Sequence, residues 1–549
     1  MPIFALLLLG LIHLLYRSPR TLLAFVVSMG SAMALTMGYI GWSGGVLTIV
    51  SPLVPMTILI TSTATLVYIH SRYVDRPHDR APEEHQVFSL ANKFVACTAS
   101  LVAAAAGFAA LTVSSIRPIR DLGLWTSVGM GFIWLVVFTL FPALQRILRT
   151  PTHHERPAAG AWFGHLVTWL PRFTWRWRRV LVGSAFALSL AGAAALFGIP
   201  GVMSAMPLET DALAYMNPGT RLYEDTRRLE EVLSGLSVSE VWLRGDLGTL
   251  ADPAVLRGLD TFQESLRRSE GIGSVAGLPT VVRLMRYIGG SGDDFPRDDD
   301  ALQKASSDLE QLAASEPMLS SFVDAALSQT HISVITRGGD YETLQRTGLL
   351  VKQRWQEAVQ SEPALGQLRL ALAGSALLES KIAHHLVPTL VESFALTAAI
   401  IFVAFLLVFR SGWARLMAMI PSLFAILVMF AVMRATGLGL NVATILIAST
   451  VLGASENDQI HFFYHYLEKG RRGPVEAGLQ HTLRISGKAI LYATLINAGG
   501  FLAFAFADLP PMRQFGLLTA LAFTLSMIAD FTALPASLWI VHRQRPDGC

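Results

Sequence analysis

Charged residues are scarce in this chain. Asp, Glu, Lys and Arg make up 15% of its 549 residues, whereas soluble domains usually carry about 25%. Apolar residues make up 52%, and the mean hydropathy is +0.47. This composition excludes an ordinary soluble protein and predicts a membrane protein with more than one domain.

Cysteines and enzyme motifs are scarce too. Cys97 lies in an apolar run and Cys549 is the last residue, so neither a disulfide framework nor a metal cluster is expected. The sequence contains no GxSxG elbow, Walker loop or HExxH motif, so we predict no enzyme, cofactor or metal.

The first apolar stretch has no basic residues before it and no cleavage site after it, and we interpret it as a retained helix.

Long apolar runs are abundant instead. A helix needs roughly 20 apolar residues to cross a hydrocarbon core about 30 Å thick. Eleven candidate spans lie at residues 2–16, 21–40, 46–68, 94–113, 122–144, 180–199, 386–409, 416–433, 440–464, 489–507 and 515–541. The first is short for a span.

Basic residues are concentrated in alternate loops. Arg72 and Lys93 lie in one such loop, and Lys469 and Lys488 lie in another. The positive-inside rule places these loops in the cytoplasm. We therefore predict a cytoplasmic C-terminus, with Met1 and the segment after residue 200 outside.

Residues 201–385 form the only large stretch between predicted spans, and most of the acidic residues lie there. The segments SEVWLRGD, HISVITRG and LRLALAGS have the pattern of strands. Asp252 is a plausible N-cap with Pro253 at the first helical position, and a second helix is predicted from Tyr341. This segment is therefore predicted to be an α/β domain.

Two parts of the chain match at one fixed offset. Four residues of the segment from Ile116 recur in the segment from Leu509: Pro118, Arg120, Gly123 and Pro142 fall on Pro511, Arg513, Gly516 and Pro535. The same loops are basic in both copies. We therefore predict two five-span bundles in the same orientation, an arrangement that occurs in transporters.

The chain resembles the RND superfamily in several segments. These are GASENDQIHFFYHY, the run from ATLINAGGFLAF through LPPMRQFGLL to ALPASL, LADPAVLRGLD with GIGSVAGL, and LALAGSALLESKI. Within this superfamily, the chain is similar to hydrophobe and lipid exporters of the MMPL and hopanoid-transporter type. The resemblance covers essentially the whole chain. It implies two halves, each with one span, an outer porter domain and five further spans. This sequence lacks the first span and first porter domain, which indicates an upstream segment, a fragment, a mispredicted start or an eleven-span form.

We therefore predict an α-helical polytopic membrane protein of about eleven spans, with two parallel five-helix repeats, a lead helix and one α/β extracytoplasmic porter domain. The predicted boundaries are 2–148 for the first repeat, 149–179 for a cytoplasmic amphipathic linker, 180–200 for the lead helix, 201–385 for the porter domain, 386–541 for the second repeat and 542–549 for the cytoplasmic tail.

The segment GASENDQIHFFYHY places acidic residues in a predicted span. A charged group at the bilayer centre costs roughly 2.5–3.5 kcal/mol, so such residues are usually functional. Asp458 and His461 are three residues apart and share a helix face, whereas Glu456 points nearly the opposite way. We predict Asp458 with His461 as the titrating pair and Glu456 as second candidate. The alternative is that these acids lie at the inner membrane interface.

Two further residues are predicted to take part in proton coupling. Asn457 stands four residues before His461, where the resemblance implies an acid, and Asp530 lies in the last span. The matching span of the first copy, TILITSTATLVYIH, contains no acid. One repeat could therefore carry the coupling alone, or the coupling could be lost.

The resemblance implies export of hydrophobic or lipid-like molecules, driven by the proton-motive force, from an inner membrane with the porter domain on the periplasmic side. The expected partners are a hydrophobic or lipid substrate and the membrane, with a homo-oligomer and periplasmic accessory proteins left open and no nucleic acid. The acid-free first copy favours the alternatives: a non-transporting, sterol-sensing-like sensor or scaffold, or an inactive truncated permease. A protein-translocation accessory is a rival within transport.

Overall fold

The computed structural model describes residues 9–10, 12–13, 16–48, 50–74, 81–152, 161–209, 211–232, 235–312, 321–408, 417, 419–470 and 474–542. It divides into two compact units. We call Met1–Pro207 with Leu386–Cys549 the helical unit, and Leu208–His385 the sheet unit. Most of the predicted first span, residues 2–16, lies outside the described residues.

The described helices are α1 Pro19–Trp42, α2 Leu53–Val74, α3 Pro82–Ala109, α4 Arg117–Phe138, α5 Leu140–Ile147, α6 Ala161–Arg176, α7 Arg178–Phe197, α8 Arg221–Val232, α9 Pro253–Arg267, α10 Leu278–Ile288, α11 Asp299–Leu312, α12 Tyr341–Ser361, α13 Ser375–Val408, α14 Ile420–Ala435, α15 Val442–Gly470, α16 Val475–Thr482, α17 Lys488–Leu502, α18 Pro510–Phe531 and α19 Ala533–His542. The described strands are β1 Ser237–Arg244, β2 Ile272–Ala276, β3 Gln329–Thr336 and β4 Arg369–Ala373.

Several of these helices are long and apolar enough to cross a membrane. Within the described residues, seven segments meet that condition: Pro19–Trp42, Leu53–Val74, Pro82–Val113, Arg117–Ile147, Arg178–Phe197, Val475–Phe506 and Pro510–His542. The other predicted spans fall on α13, on the 16-residue α14 and on the 29-residue α15. The total of eleven spans stays a prediction.

The internal repeat is visible in the element boundaries. Helices α4 and α5 recur as α18 and α19, each pair divided at a threonine, Thr139 or Thr532. The 3₁₀ turn Ala110–Val113 likewise recurs as Ala503–Phe506. The two repeats contact each other reciprocally, because α2 packs on α17 while α3 packs on α15. The predicted bundle of two similar repeats is therefore the fold of the helical unit.

A glycine at the same place in each repeat explains part of this match. A Cβ at Gly123 would lie 2.6 Å from the carbonyl oxygen of Phe108, and one at Gly516 would lie 2.5 Å from that of Phe501. Real Cβ atoms do not approach so closely. Each glycine thus allows a long helix to pack against the end of the helix before it.

The predicted position of Lys93 is wrong. The basic-loop pattern predicts a loop position, but α3 begins at Pro82, so Lys93 lies inside a helix and is 1% exposed. Hydropathy alone places the start of the span after the last charged residue. The helix extends further because the ammonium group of Lys93 has a buried partner, His465, 3.1 Å away.

Helix α6, in the predicted linker, packs against α16 and α19. The indole nitrogen of Trp539 donates a hydrogen bond of 3.1 Å to the Pro171 carbonyl, and Arg172 lies 3.2 Å from Glu476. Helix α7 packs against α14, where a Cβ at Gly192 would overlap the backbone of Leu427. Both helices are thus fixed to the second repeat.

The sheet unit contains a four-stranded antiparallel sheet in the order β2-β3-β1-β4. The side chains of Val241, Leu243 and Ile332 face a core that also contains Phe262 of α9. Asp252 caps α9 by accepting a hydrogen bond of 2.8 Å from the Ala254 amide, as predicted. The three predicted strands are present, and β2 is an addition.

Candidate functional site

The centre of the candidate site is Asp458, on the long helix α15. This residue is 4% exposed. Oδ1 accepts a hydrogen bond of 2.6 Å from the hydroxyl of Tyr68 on α2, and Oδ2 accepts a weak one of 3.5 Å from Thr494 on α17. The acid of the second repeat is therefore bound by a side chain of the first repeat.

His461 lies on the same face of α15 as Asp458. Its ring stacks on the Tyr68 ring, with centroids 3.9 Å apart and planes 8° from parallel. Nε2 lies 3.7 Å from the sulfur of Cys97 on α3. In the described part of the chain, Nδ1 has no hydrogen-bond partner. Tyr68 thus contacts both members of the predicted titrating pair.

A buried amine lies close to the same tyrosine. Nζ of Lys93 is 3.1 Å from Nε2 of His465, one helical turn after His461, and 5.7 Å from the centre of the Tyr68 ring. Lys93 and His465 are both almost completely buried. An ammonium ion in an apolar interior is costly unless it is paired. Tyr68 therefore separates a buried cation from a buried acid.

Asn457 lies apart from this row of side chains. It lines a cavity of about 10 Å³ together with Thr61 and Asn497. One oxygen on each of these three side chains is buried with no partner among the described residues. A cavity holds a water molecule from about this size when polar partners surround it. This small polar space lies between the two repeats, one residue from Asp458.

Asp530 belongs to a second buried network. Its Oδ1 accepts a hydrogen bond of 3.3 Å from the amide of Gln459, which also contacts Ser526. Ser422 donates a hydrogen bond of 3.0 Å to the amide oxygen of Gln459. Gln459 is next to Asp458 in sequence, so Asp530 is joined to α15 through it. Glu456 belongs to α15, but its side chain lies outside the described residues.

Sequence reasoning missed Tyr68 and Lys93. Both belong to the first repeat, where only an acid was sought. The sequence offered one signal for Lys93, since it is the charged residue directly before an apolar run. It offered none for the contact between Tyr68 and Asp458, which are 390 positions apart.

Comparisons with known proteins agree with this architecture. The model of the MMPL family matches residues 2–181 and 240–547. The chain is 26% identical over 298 residues to MJ1562 of Methanocaldococcus jannaschii, which is described as a membrane protein; the match covers 54% of this chain and 73% of that protein.

A solved structure has the same fold. The cryo-EM structure of the hedgehog release protein Disp from the water bear Hypsibius dujardini matches with a TM-score of 0.67 at 14% identity. That match covers 98% of this chain and 69% of that one. The helical unit and the sheet unit of this chain are thus matched by the fold of that protein. Because the family model matches most of the sequence, this chain belongs to the MMPL family.

Proposed function

We propose that this protein is a transporter rather than an enzyme, and that it uses the proton-motive force to export hydrophobic or lipid-like molecules across the inner membrane. Membership of the MMPL family and the RND-type fold support a lipid-related membrane protein. The orientation follows from the basic loops, with the sheet unit on the periplasmic side and the C-terminus in the cytoplasm.

The observation that carries the proton coupling is the row of buried side chains from Asp458 through Tyr68 to Lys93. Protonation of Asp458 removes a negative charge from the interior of the bundle. The hydrogen bond from the Tyr68 hydroxyl to this carboxylate then weakens, because the acceptor loses its charge. Because these groups come from different repeats, the change in charge acts on the contact between the repeats.

The energy available fits such a step. A proton that moves inward gains about 2.3 kcal/mol for each 100 mV of membrane potential. A conformational equilibrium shifts about tenfold for each 1.4 kcal/mol. One proton that crosses a potential of about 100 mV can therefore shift the equilibrium between two arrangements of the repeats by more than tenfold.

The test is proton uptake and release of a fluorescent lipid by proteoliposomes under an imposed pH gradient and potential. We expect Asp458→Asn to abolish both, while the protein keeps its helical content and elution volume. Asp121→Asn is the matched control, because Asp121 lies near the start of α4 and pairs with Arg117. Normal activity of Asp458→Asn, with Glu456→Gln also silent, would overturn the proposal.

A non-transporting sensor or scaffold is the second candidate. The observation that favours it is the first repeat, whose matching span TILITSTATLVYIH contains no acid and supplies the hydroxyl of Tyr68 to the contact with Asp458. Lipid binding by the wild-type chain without any proton uptake would favour the sensor.

A further inference from the structure

A cavity of about 490 Å³ lies where α2 and α5 of the first repeat end and α3 begins. Cavities that bind small molecules commonly measure about 300–1,000 Å³. The lining that matters chemically consists of Tyr73, Glu83, Gln145, Arg146, Arg149 and Thr150. None of these residues takes part in the Asp458 site.

At the equivalent place in the second repeat, α6 packs against α16 and α19. Glu476 and Trp539 stand at the positions that match Glu83 and Arg146. Both contact α6, where Glu476 pairs with Arg172 and Trp539 bonds to the Pro171 carbonyl. Helix α6 thus covers this region of the second repeat, whereas the matching region of the first repeat contains the cavity.

The residues that line the cavity favour binding of an anion. Arg146 and Arg149 bring two guanidinium groups to it, and Glu83 is the one acid among the described residues of the lining. A guanidinium group binds phosphate oxygens through parallel hydrogen bonds. Helix α6 contains arginines and no acid, so a helix of that composition would be repelled here.

Two buried side-chain oxygens among the lining residues lack a hydrogen-bond partner in the described part of the chain. These are the oxygens of Gln145 and Thr150. The amide nitrogen of Gln145 lies 3.2 Å from Nδ1 of His70. Neither oxygen is accessible to solvent, so direct contact with a ligand falls to the exposed Arg146 and Arg149.

Arg149 provides an independent sign of a binding role. It follows α5 with φ of 49°, in the left-handed region that favours glycine after a helix end. An arginine there is less stable in the folded chain than a glycine would be. Such residues are often retained for a functional contact.

We propose that this cavity binds the phosphate of a phospholipid headgroup. The lipid would then cover the region of the first repeat that matches the region covered by α6 in the second repeat. Basic pockets between membrane helices on the cytoplasmic side are typical headgroup sites. The acyl chains would lie along the helices that enclose the cavity. This proposal does not depend on proton-driven transport.

The test measures binding to the purified full chain in detergent, by native mass spectrometry and thermal unfolding, with phosphatidylglycerol as the probe. Diacylglycerol with the same acyl chains and inorganic phosphate are compared with it. We expect phosphatidylglycerol to bind and to raise the unfolding temperature, and neither other compound to do so. The variant Arg146→Gln/Arg149→Gln should bind about tenfold more weakly, whereas Arg176→Gln/Arg179→Gln, two exposed arginines near the same predicted membrane face, should bind normally.

Arg149→Gly separates binding from folding. Glycine relieves the positive φ, so this variant should unfold at the same temperature as the wild type or higher, yet bind phosphatidylglycerol more weakly. Undiminished binding by both this variant and the double variant would overturn the proposal. So would equal stabilisation by inorganic phosphate alone, which would make the ligand a free anion.

Discussion

The hydroxyl of Tyr68 donates a hydrogen bond of 2.6 Å to the carboxylate of Asp458, across the contact between the two repeats. The same ring stacks on His461. A single side chain of the first repeat therefore contacts both the acid and the imidazole of the second. This contact makes the first repeat part of the candidate site although its own matching span contains no acid.

Tyr68→Phe tests this hydrogen bond. The variant keeps the ring that stacks on His461 and removes the hydroxyl, so the carboxylate loses its short donor. In a double-mutant cycle with Asp458→Ala, which removes the acceptor, we expect a coupling energy of about 0.6–1.7 kcal/mol, the range of hydrogen bonds between membrane helices. Thermal unfolding in detergent measures it. The cycle with Tyr39→Phe should give a coupling energy near zero, and equal values for the two tyrosines would contradict the assignment.

Lys93→Gln tests the buried amine. The ammonium group lies 3.1 Å from His465 and 5.7 Å from the Tyr68 ring centre, so its loss removes the positive charge from the site. We expect proton uptake by proteoliposomes to fall more than about tenfold. Lys488→Gln, which removes an amine that lies over Phe163 instead, should keep it. Equal loss in both variants would mean that a general effect of charge is responsible.

Gly192→Ala tests how the lead helix α7 is held. Its new methyl group would overlap the backbone of Leu427 on α14, whereas a Cβ at Gly183 on the same helix meets nothing within 4 Å. We expect Gly192→Ala to lower the free energy of unfolding by about 1–3 kcal/mol, and Gly183→Ala to cause no loss. The unfolding temperatures of the two variants and the wild type in detergent measure this difference. A stable Gly192→Ala protein would show that this close approach is absent.

Asp340 should make the sheet unit sensitive to acid. Burial opposes its ionisation, but hydrogen bonds from the hydroxyl and the amide of Thr343 outweigh this and lower the pKa of Asp340. Because the folded-state pKa is lowered, its contribution to stability is complete above the ordinary value of about 3.9 and is lost as the pH falls through the folded-state value. Hydrogen exchange in the first turn of α12, corrected for intrinsic rates, should therefore quicken below about pH 4.

Two variants separate the cap from its charge. Asp340→Asn keeps a capping side chain, so it should retain most of the protection and lose much of its pH dependence. Asp340→Ala should cost about 1 kcal/mol at neutral pH. Asp308→Asn, on α11, is the control and should change neither quantity. An unaltered pH dependence in Asp340→Asn would refute the assignment to this carboxylate.

Much of the architecture could be predicted from the sequence. The match of Gly123 with Gly516 predicts the repeat, and the structure shows that each glycine lies against a phenylalanine carbonyl. Asp252 and Pro253 correctly mark the start of α9. These predictions succeed because caps, turns and close helix contacts depend on residue types at short, fixed spacings.

Only part of the candidate site could be predicted from the sequence. Composition alone determined that Asp458 and Asp530 belong to a chain rich in membrane-spanning segments, because apolar length decides which segments enter a bilayer. Only the tertiary structure decided that Tyr68 and Lys93 meet the acid and histidines of the other repeat. Hydropathy treats a charged residue as the end of a span, whereas packing can place it inside one when a partner from a distant helix compensates for the lost hydration.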